Sequence, residues 1–127
     1  MPLLRFGCAA ALTLALTGPA STVPFAAAAP RVDYTLRVCA SDTTPTNATI
    51  TYGVGVGESV AEQGRTSRWL GAGCWERTVA AYTYDGAAVA ATATNPQAYI
   101  GCAVWANGRR IAKHYAYGRC STSARAG

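Results

Sequence analysis

The stretch Ala98–Cys120, AYIGCAVWANGRRIAKHYAYGRC, decides the fold. Asn107-Gly108 lies at its middle. A two-residue hairpin turn needs positive φ at both central positions, and Asn-Gly supplies it at the least steric cost. An apolar run, Tyr99 to Trp105, precedes the turn. A mixed run, Arg109 to Tyr117, follows it and carries Ile111, Tyr115 and Tyr117. Each arm holds a cysteine. The stretch therefore predicts the C-terminal hairpin of a small β domain, with the rest of the chain packed on it as strands.

Upstream, the same logic repeats. Tyr34 to Val38 alternates apolar and polar residues, as a half-buried strand does, and Asn47 to Tyr52 alternates again. Gly53, Gly55 and Gly57 mark a flexible edge or a bulged strand. Val60 to Arg68 is polar and reads as a loop or a short helical turn. Arg77 to Tyr84 reads as a strand, Asp85-Gly86 as a second hairpin dipeptide, and Ala87 to Thr94 as the returning strand. Alanine favours helix, but Asp85-Gly86 and Pro96 bracket this segment, and Val and Thr are interleaved in it. Ser121 to Gly127 reads as a disordered tail. The pattern of about seven short strands, with turn signals about every 8–12 residues, predicts an all-β domain. We expect a small antiparallel, immunoglobulin-like β-sandwich with two disulfides.

The first residues of the 127-residue chain stand apart. Arg5 is followed by an apolar run, Gly7 to Leu16, then by Gly18-Pro19 and the small-residue run Ala26 to Ala29. This is the layout of a secretory signal cut near Ala28, and the apolar run is too short to span a bilayer. The expected organisation is a signal over 1–28, a β domain over 29–120 and a tail over 121–127. The mature chain of about 98 residues is one domain, either secreted or held in the cell envelope.

Cys8 would leave with the signal. Of the five cysteines, Cys39, Cys74, Cys102 and Cys120 remain, an even number in an exported chain. Spacing alone leaves all three pairings open. No C-x-x-C occurs and His114 is the sole histidine, so the sequence predicts no zinc site and no cofactor. In the chain-entropy model, two bridges closing long loops would each add roughly 3–4 kcal/mol to a domain with a limited core.

The whole chain carries a net charge of +5, and loss of Arg5 leaves +4, which makes no case for nucleic acid. The charge is nonetheless uneven. The last acid is Asp85, and Arg109, Arg110, Lys113, Arg119 and Arg125 all follow it. The basic arm, Arg109, Arg110, Lys113 and Arg119, is the candidate partner-binding surface. It suits anionic lipid headgroups or an acidic partner face.

Catalytic signals are weak. His114 sits in a predicted strand without an acid near it in sequence, and reads as a surface or packing histidine. Glu58, Glu62 and Glu76 offer no spacing that pairs two carboxylates. Trp69, Trp75 and Trp105 read as core packing in preference to a pocket or a sugar platform. Asn47-Ala48-Thr49 is a glycosylation sequon that marks an exposed site. We expect no enzyme and no catalytic residue.

From Tyr34 onward the chain resembles the soluble domain of the mycobacterial membrane protein small (MmpS) family. The resemblance rests on ATITY (Ala48–Tyr52), CWERTV (Cys74–Val79), VAATA (Val89–Ala93) and YIGCAVWANG (Tyr99–Gly108), closed by Cys120. It implies an exported, non-enzymatic β-sandwich that works beside large resistance-nodulation-division (MmpL-type) exporters of lipids or siderophores. It also implies a Cys102–Cys120 bridge, which leaves Cys39 for Cys74, and places Trp75 at the family's tryptophan before a strand. In a simple hairpin Cys102 would face Lys113, so this bridge requires the chain to bend back after His114, near Gly118. Two features depart from the family. Its members usually keep a transmembrane helix where this chain has the layout of a cleavable signal, and Cys39 with Cys74 is an additional pair. The alternative role is a free secreted protein that binds or inhibits an extracellular protein or glycan.

Overall fold

The computed structural model describes residues 30–41, 43–71 and 73–126. The expected signal segment lies outside them. Eight strands form: β1 (Arg31–Ala40), β2 (Thr46–Val56), β3 (Ser59–Leu70), β4 (Cys74–Tyr82), β5 (Gly86–Ala93), β6 (Tyr99–Ala106), β7 (Arg109–Tyr117) and β8 (Arg119–Arg125). They make two antiparallel four-stranded sheets. The front sheet has the order β4-β1-β6-β7 and the back sheet β3-β2-β5-β8. The result is the expected all-β sandwich with one strand more than expected. Its connectivity differs from the immunoglobulin order, in which the first two strands share a sheet; here β1 and β2 lie in different sheets.

The core fills the space between the sheets. Leu36 and Val38 of β1 and Ile100 and Val104 of β6 face Ile50 of β2 and Val89 of β5, all at 2 % exposure or less. Strict alternation along β1 puts Val32, Tyr34, Leu36 and Val38 inside and leaves Arg31 and Asp33 exposed. Tyr34 is the fully buried aromatic. Its hydroxyl donates to the Asp85 carbonyl at 2.6 Å and accepts from the Ala126 N–H at 2.8 Å. One side chain thus ties β1 to the turn after β4 and to the end of β8.

Both predicted bridges form. Cys39–Cys74 joins directly opposed residues of β1 and β4, with Cα atoms 4.3 Å apart. Cys102–Cys120 joins the two sheets, with Cα atoms 5.7 Å apart. Gly118, at φ 81°, turns β7 into β8, so the chain bends where the bridge requires it.

Several expectations are corrected. Ser121 to Arg125 is no tail but the body of β8, paired with β5 through contacts such as Cys120 with Ala91. Val60 to Arg68 belongs to β3, the hairpin partner of β2. Its inward positions carry Glu62, Gly64 and Thr66, so the apolar alternation that marks a strand is missing. Asp85-Gly86 is not a hairpin turn, since β4 and β5 lie in different sheets. Asp85 is buried, its carboxylate accepts from the Tyr82 N–H at 2.8 Å, and Gly86 has no positive φ. The Asn107-Gly108 turn has the expected angles, φ 50° and 82°. A bulge at Val104/Trp105 adds one residue to β7, so Cys102 faces His114 and not Lys113.

The tryptophans are not the core. Trp69 is 64 % exposed, and Trp75 and Trp105 are half-buried. Trp75 packs on the core margin, its ring 5.3 Å from that of Tyr52. The seam between β3 and β4 closes there. Arg77 of β4 binds Glu62 of β3 through two hydrogen bonds of 2.5 and 2.9 Å, and the Tyr52 hydroxyl donates to Glu62 at 2.6 Å. The Arg77 and Tyr52 donors hold the Glu62 carboxyl down at about 2, against an ordinary 4.5. The same bond raises the Tyr52 hydroxyl, with burial and the Glu62 charge adding to it. One lateral seam is thus clamped by an ion pair, and the β6–β8 side is held by a disulfide.

Candidate functional site

The two outer faces of the sandwich are chemically unlike. On the back sheet the outward positions along β2, β5 and the middle of β8 are small or hydroxylic, as at Thr51, Gly53, Ala88, Ala90, Ser121 and Ser123, while Arg65 and Trp69 of β3 and Arg119 and Arg125 of β8 stand on its two edge strands. On the front sheet β6 and β7 bring aromatic and cationic residues together. Alternation along β6 sends Tyr99, Gly101, Ala103 and Trp105 outward, since Ile100, Cys102 and Val104 are the fully buried set. The register places Tyr117 opposite Tyr99, Tyr115 opposite Gly101, Lys113 opposite Ala103 and Arg110 opposite Trp105. On the other side of β6, Thr35 and Arg37 of β1 face Trp105 and Ala103.

Arg37, Tyr99, Gly101, Ala103, Trp105, Arg110 and Tyr115 line a shallow groove of about 250 Å³ together with Cys39, Ala40 and Ser41, and Lys113 and Tyr117 lie outside its lining. Gly101 and Ala103 give it a floor almost without side chains. Tyr115 leans across Gly101 so closely that its ring occupies the place of a Cβ. Tyr99 stands edge-on to Tyr115, with centroids 6.3 Å apart at 76°, and lies 4.9 Å from Tyr117. At the other end the Arg37 guanidinium covers the Trp105 ring at 4.5 Å. Glu76 accepts two hydrogen bonds from Arg37, at 2.5 and 2.8 Å, and so takes up its charge. Arg110 lines the groove, and the Lys113 ammonium lies 5.8 Å from the Tyr115 ring. Among the described residues Arg110 and Lys113 make no ion pair; the two pairs present are Arg37–Glu76 and Arg77–Glu62.

The four residues proposed from sequence do not form one patch. Arg110 and Lys113 share the front face. Arg109 sits at the hairpin tip opposite Ala106, and an acid does lie beside that tip: the Asp33 N–H donates to the Asn107 side chain at 2.9 Å. Arg119 lies in the back sheet opposite Thr92, on the far side of the sandwich. The bend at Gly118 that allows the disulfide also separates Arg119 from Lys113.

Sequence reasoning missed Tyr99, Trp105, Tyr115 and Arg37. The signal was present in the period-two alternation of β6 and β7, which puts a glycine opposite a tyrosine across the turn. His114 is exposed on β7, and its Nδ1 accepts the Ser121 N–H at 3.1 Å. Among the described residues no group of three metal-ligating side chains occurs, and no helix is long and apolar enough to cross a membrane. Two disulfides suit an oxidising, extracellular environment. No family model matches the chain, and no curated protein or solved structure matches it either.

Proposed function

We propose that this is an exported, non-enzymatic binding domain that engages an anionic partner through the outer face of its front sheet. The observation that carries this reading is the cluster of exposed tyrosines on that face beside two cations that make no ion pair. Tyr115 is 47 % exposed and Tyr117 70 %, beside Arg110 and Lys113. Solubility alone calls for charge and not for exposed rings, and contiguous exposed apolar surface marks interaction sites. The resemblance to the MmpS family supports a place in the cell envelope beside an MmpL-type exporter. A free secreted binder would use the same face.

The test is charge reversal in the full chain. Arg110→Glu with Lys113→Glu should reduce retention in the envelope fraction, and wild-type retention should fall with salt, because exposed charges are screened beyond roughly 8–10 Å at physiological ionic strength. Arg119→Glu, on the opposite face, is the control. Equal loss in the control, or unchanged retention in the double variant, would refute a face-specific site.

A further inference from the structure

We infer that the front-face groove binds a segment of acidic polysaccharide, with one sugar ring on Tyr115 and its carboxylate on Arg110. The inference rests on the binding-face reading and names its ligand. Three features of the groove select this chemistry.

The first is shape. The groove is open and, at about 250 Å³, smaller than the roughly 300–1,000 Å³ pockets that enclose drug-sized ligands. From Gly101 to Trp105 the strand advances roughly 13 Å at about 3.3 Å per residue. An open trough of this length suits part of a linear chain that continues past both ends. The second is the lining. Sugar rings present C–H bonds of slight positive charge on their flat faces, and aromatic faces carry the complementary negative quadrupole. Tyr115 lies over Gly101 and is half-exposed, so the outer side of its ring is open to a sugar ring, and Ala103 next to it carries only a methyl group. The third is charge. Glu76 takes up Arg37, which leaves Arg110 in the groove and Lys113 beside it to meet an anion. A guanidinium can hold a carboxylate by two parallel hydrogen bonds.

Two larger depressions, about 510 Å³ each, lie on the back sheet, where Gly, Ala, Ser and Thr dominate the lining. They offer no comparable platform. A lipid surface is the less suitable occupant of the front face, because Tyr99, Trp105 and Tyr115 border a recess.

The probe is an oligogalacturonate, with a neutral cello-oligosaccharide of equal length and phosphatidylglycerol vesicles as comparison arms. Binding is followed by calorimetry and by amide shifts in the purified domain. The expected result is binding of the acidic sugar alone, with shifts confined to β6, β7 and the facing part of β1. Tyr115→Ala and Arg110→Ala should each weaken it about tenfold, the loss of one good contact. Tyr115→Phe should retain affinity, which separates ring stacking from any disturbance of folding. Equal affinity for the neutral sugar, insensitivity to Tyr115→Ala, or binding to vesicles without binding to the oligogalacturonate would overturn the inference. If the sugar does not bind but Arg110→Glu with Lys113→Glu still releases the protein from the envelope, the ligand assignment fails and the binding face stands. If that variant is retained as wild type, the face itself is refuted.

Discussion

The two disulfides should differ in energetic weight, and the order is opposite to the one loop length gives. Cys39–Cys74 closes a loop of 35 residues and Cys102–Cys120 one of 18. In the chain-entropy model these lengths give about 3.8 and about 3.2 kcal/mol, through restriction of the unfolded chain. Entropy alone therefore makes the Cys39–Cys74 bridge the more valuable. Burial reverses the order. Cys102 is fully buried and Cys120 is 3 % exposed, whereas Cys39 is half-buried and Cys74 exposed on the front face. Replacing Cys102 and Cys120 by alanine also removes two sulfurs from the packed space between the sheets. At roughly the value of a methylene each, with partial relaxation of the void, this adds about 1–3 kcal/mol. The buried bridge should then cost about 4–6 kcal/mol and the exposed one about 4. Urea unfolding of Cys39→Ala/Cys74→Ala and Cys102→Ala/Cys120→Ala, with m-values compared to detect changes in the unfolded state, measures both. If the Cys39–Cys74 variant proves the less stable of the two, inter-sheet packing contributes less than loop closure and the reasoning fails.

Further outcomes follow from other contacts. Glu62 has its carboxyl depressed in the fold, so its contribution to stability is present above its ordinary 4.5 and is lost as pH falls towards about 2. For a partly solvated pair this is about 1 kcal/mol, and acid titration of stability should lose that step in Glu62→Gln. Tyr34→Phe should destabilise the domain by about 1–3 kcal/mol by stranding the Asp85 carbonyl and the Ala126 N–H. Amide exchange at Ala126 should rise in that variant. Gly101→Ala should displace the Tyr115 ring and weaken ligand binding while costing about 1 kcal/mol of stability, read by amide shifts on β7 and by thermal melting. Gly118→Ala forces a side chain into positive φ with its Cβ 3.2 Å from the Pro96 carbonyl oxygen, and should cost about 1–3 kcal/mol in a melt.

The legibility of the fold in the sequence follows which strands bury apolar residues. β1, β2, β5 and β6 line the core from the interior of each sheet, and their alternation is readable. β7, an edge strand, was readable from Asn107-Gly108, whose turn geometry needs no tertiary context. β3 is an edge strand whose inward residues meet an ion pair and an aromatic ring, Gly64 lying under Tyr52, so it carries no apolar period. β8 is short and has one fully buried side chain, Cys120, so its sequence reads as polar tail. The bulge that shifts Cys102 to His114 arises where Ile111 and Ala112 are both partly covered, which no dipeptide announces. The candidate site was half readable. Arg110 and Lys113 were visible as charge, but Arg37 joins them only through the β1–β6 pairing, some 70 positions from Arg110 in the chain.

The packing of the sandwich narrows where a ligand can bind. Inward positions are taken up by packing, and the two lateral seams are closed by Glu62–Arg77 and by the Cys102–Cys120 side of the sandwich. A ligand is left the outer faces and the loop ends. Surface charge by itself explains Arg109 and Arg119, which sit apart at the tip and on the back sheet, as devices for solubility. It does not explain why Tyr115 and Tyr117 share one outward column of β7 with Lys113, with Tyr99 opposite Tyr117 on β6. Threonine or serine, which stand at outward positions such as Thr51 of β2 and Ser121 and Ser123 of β8, would serve a strand there equally well. Exposed rings risk association, and they are kept here beside cations that make no ion pair. Recognition of an anionic, ring-bearing chain uses both at once: the rings for its flat faces and the cations for its charge.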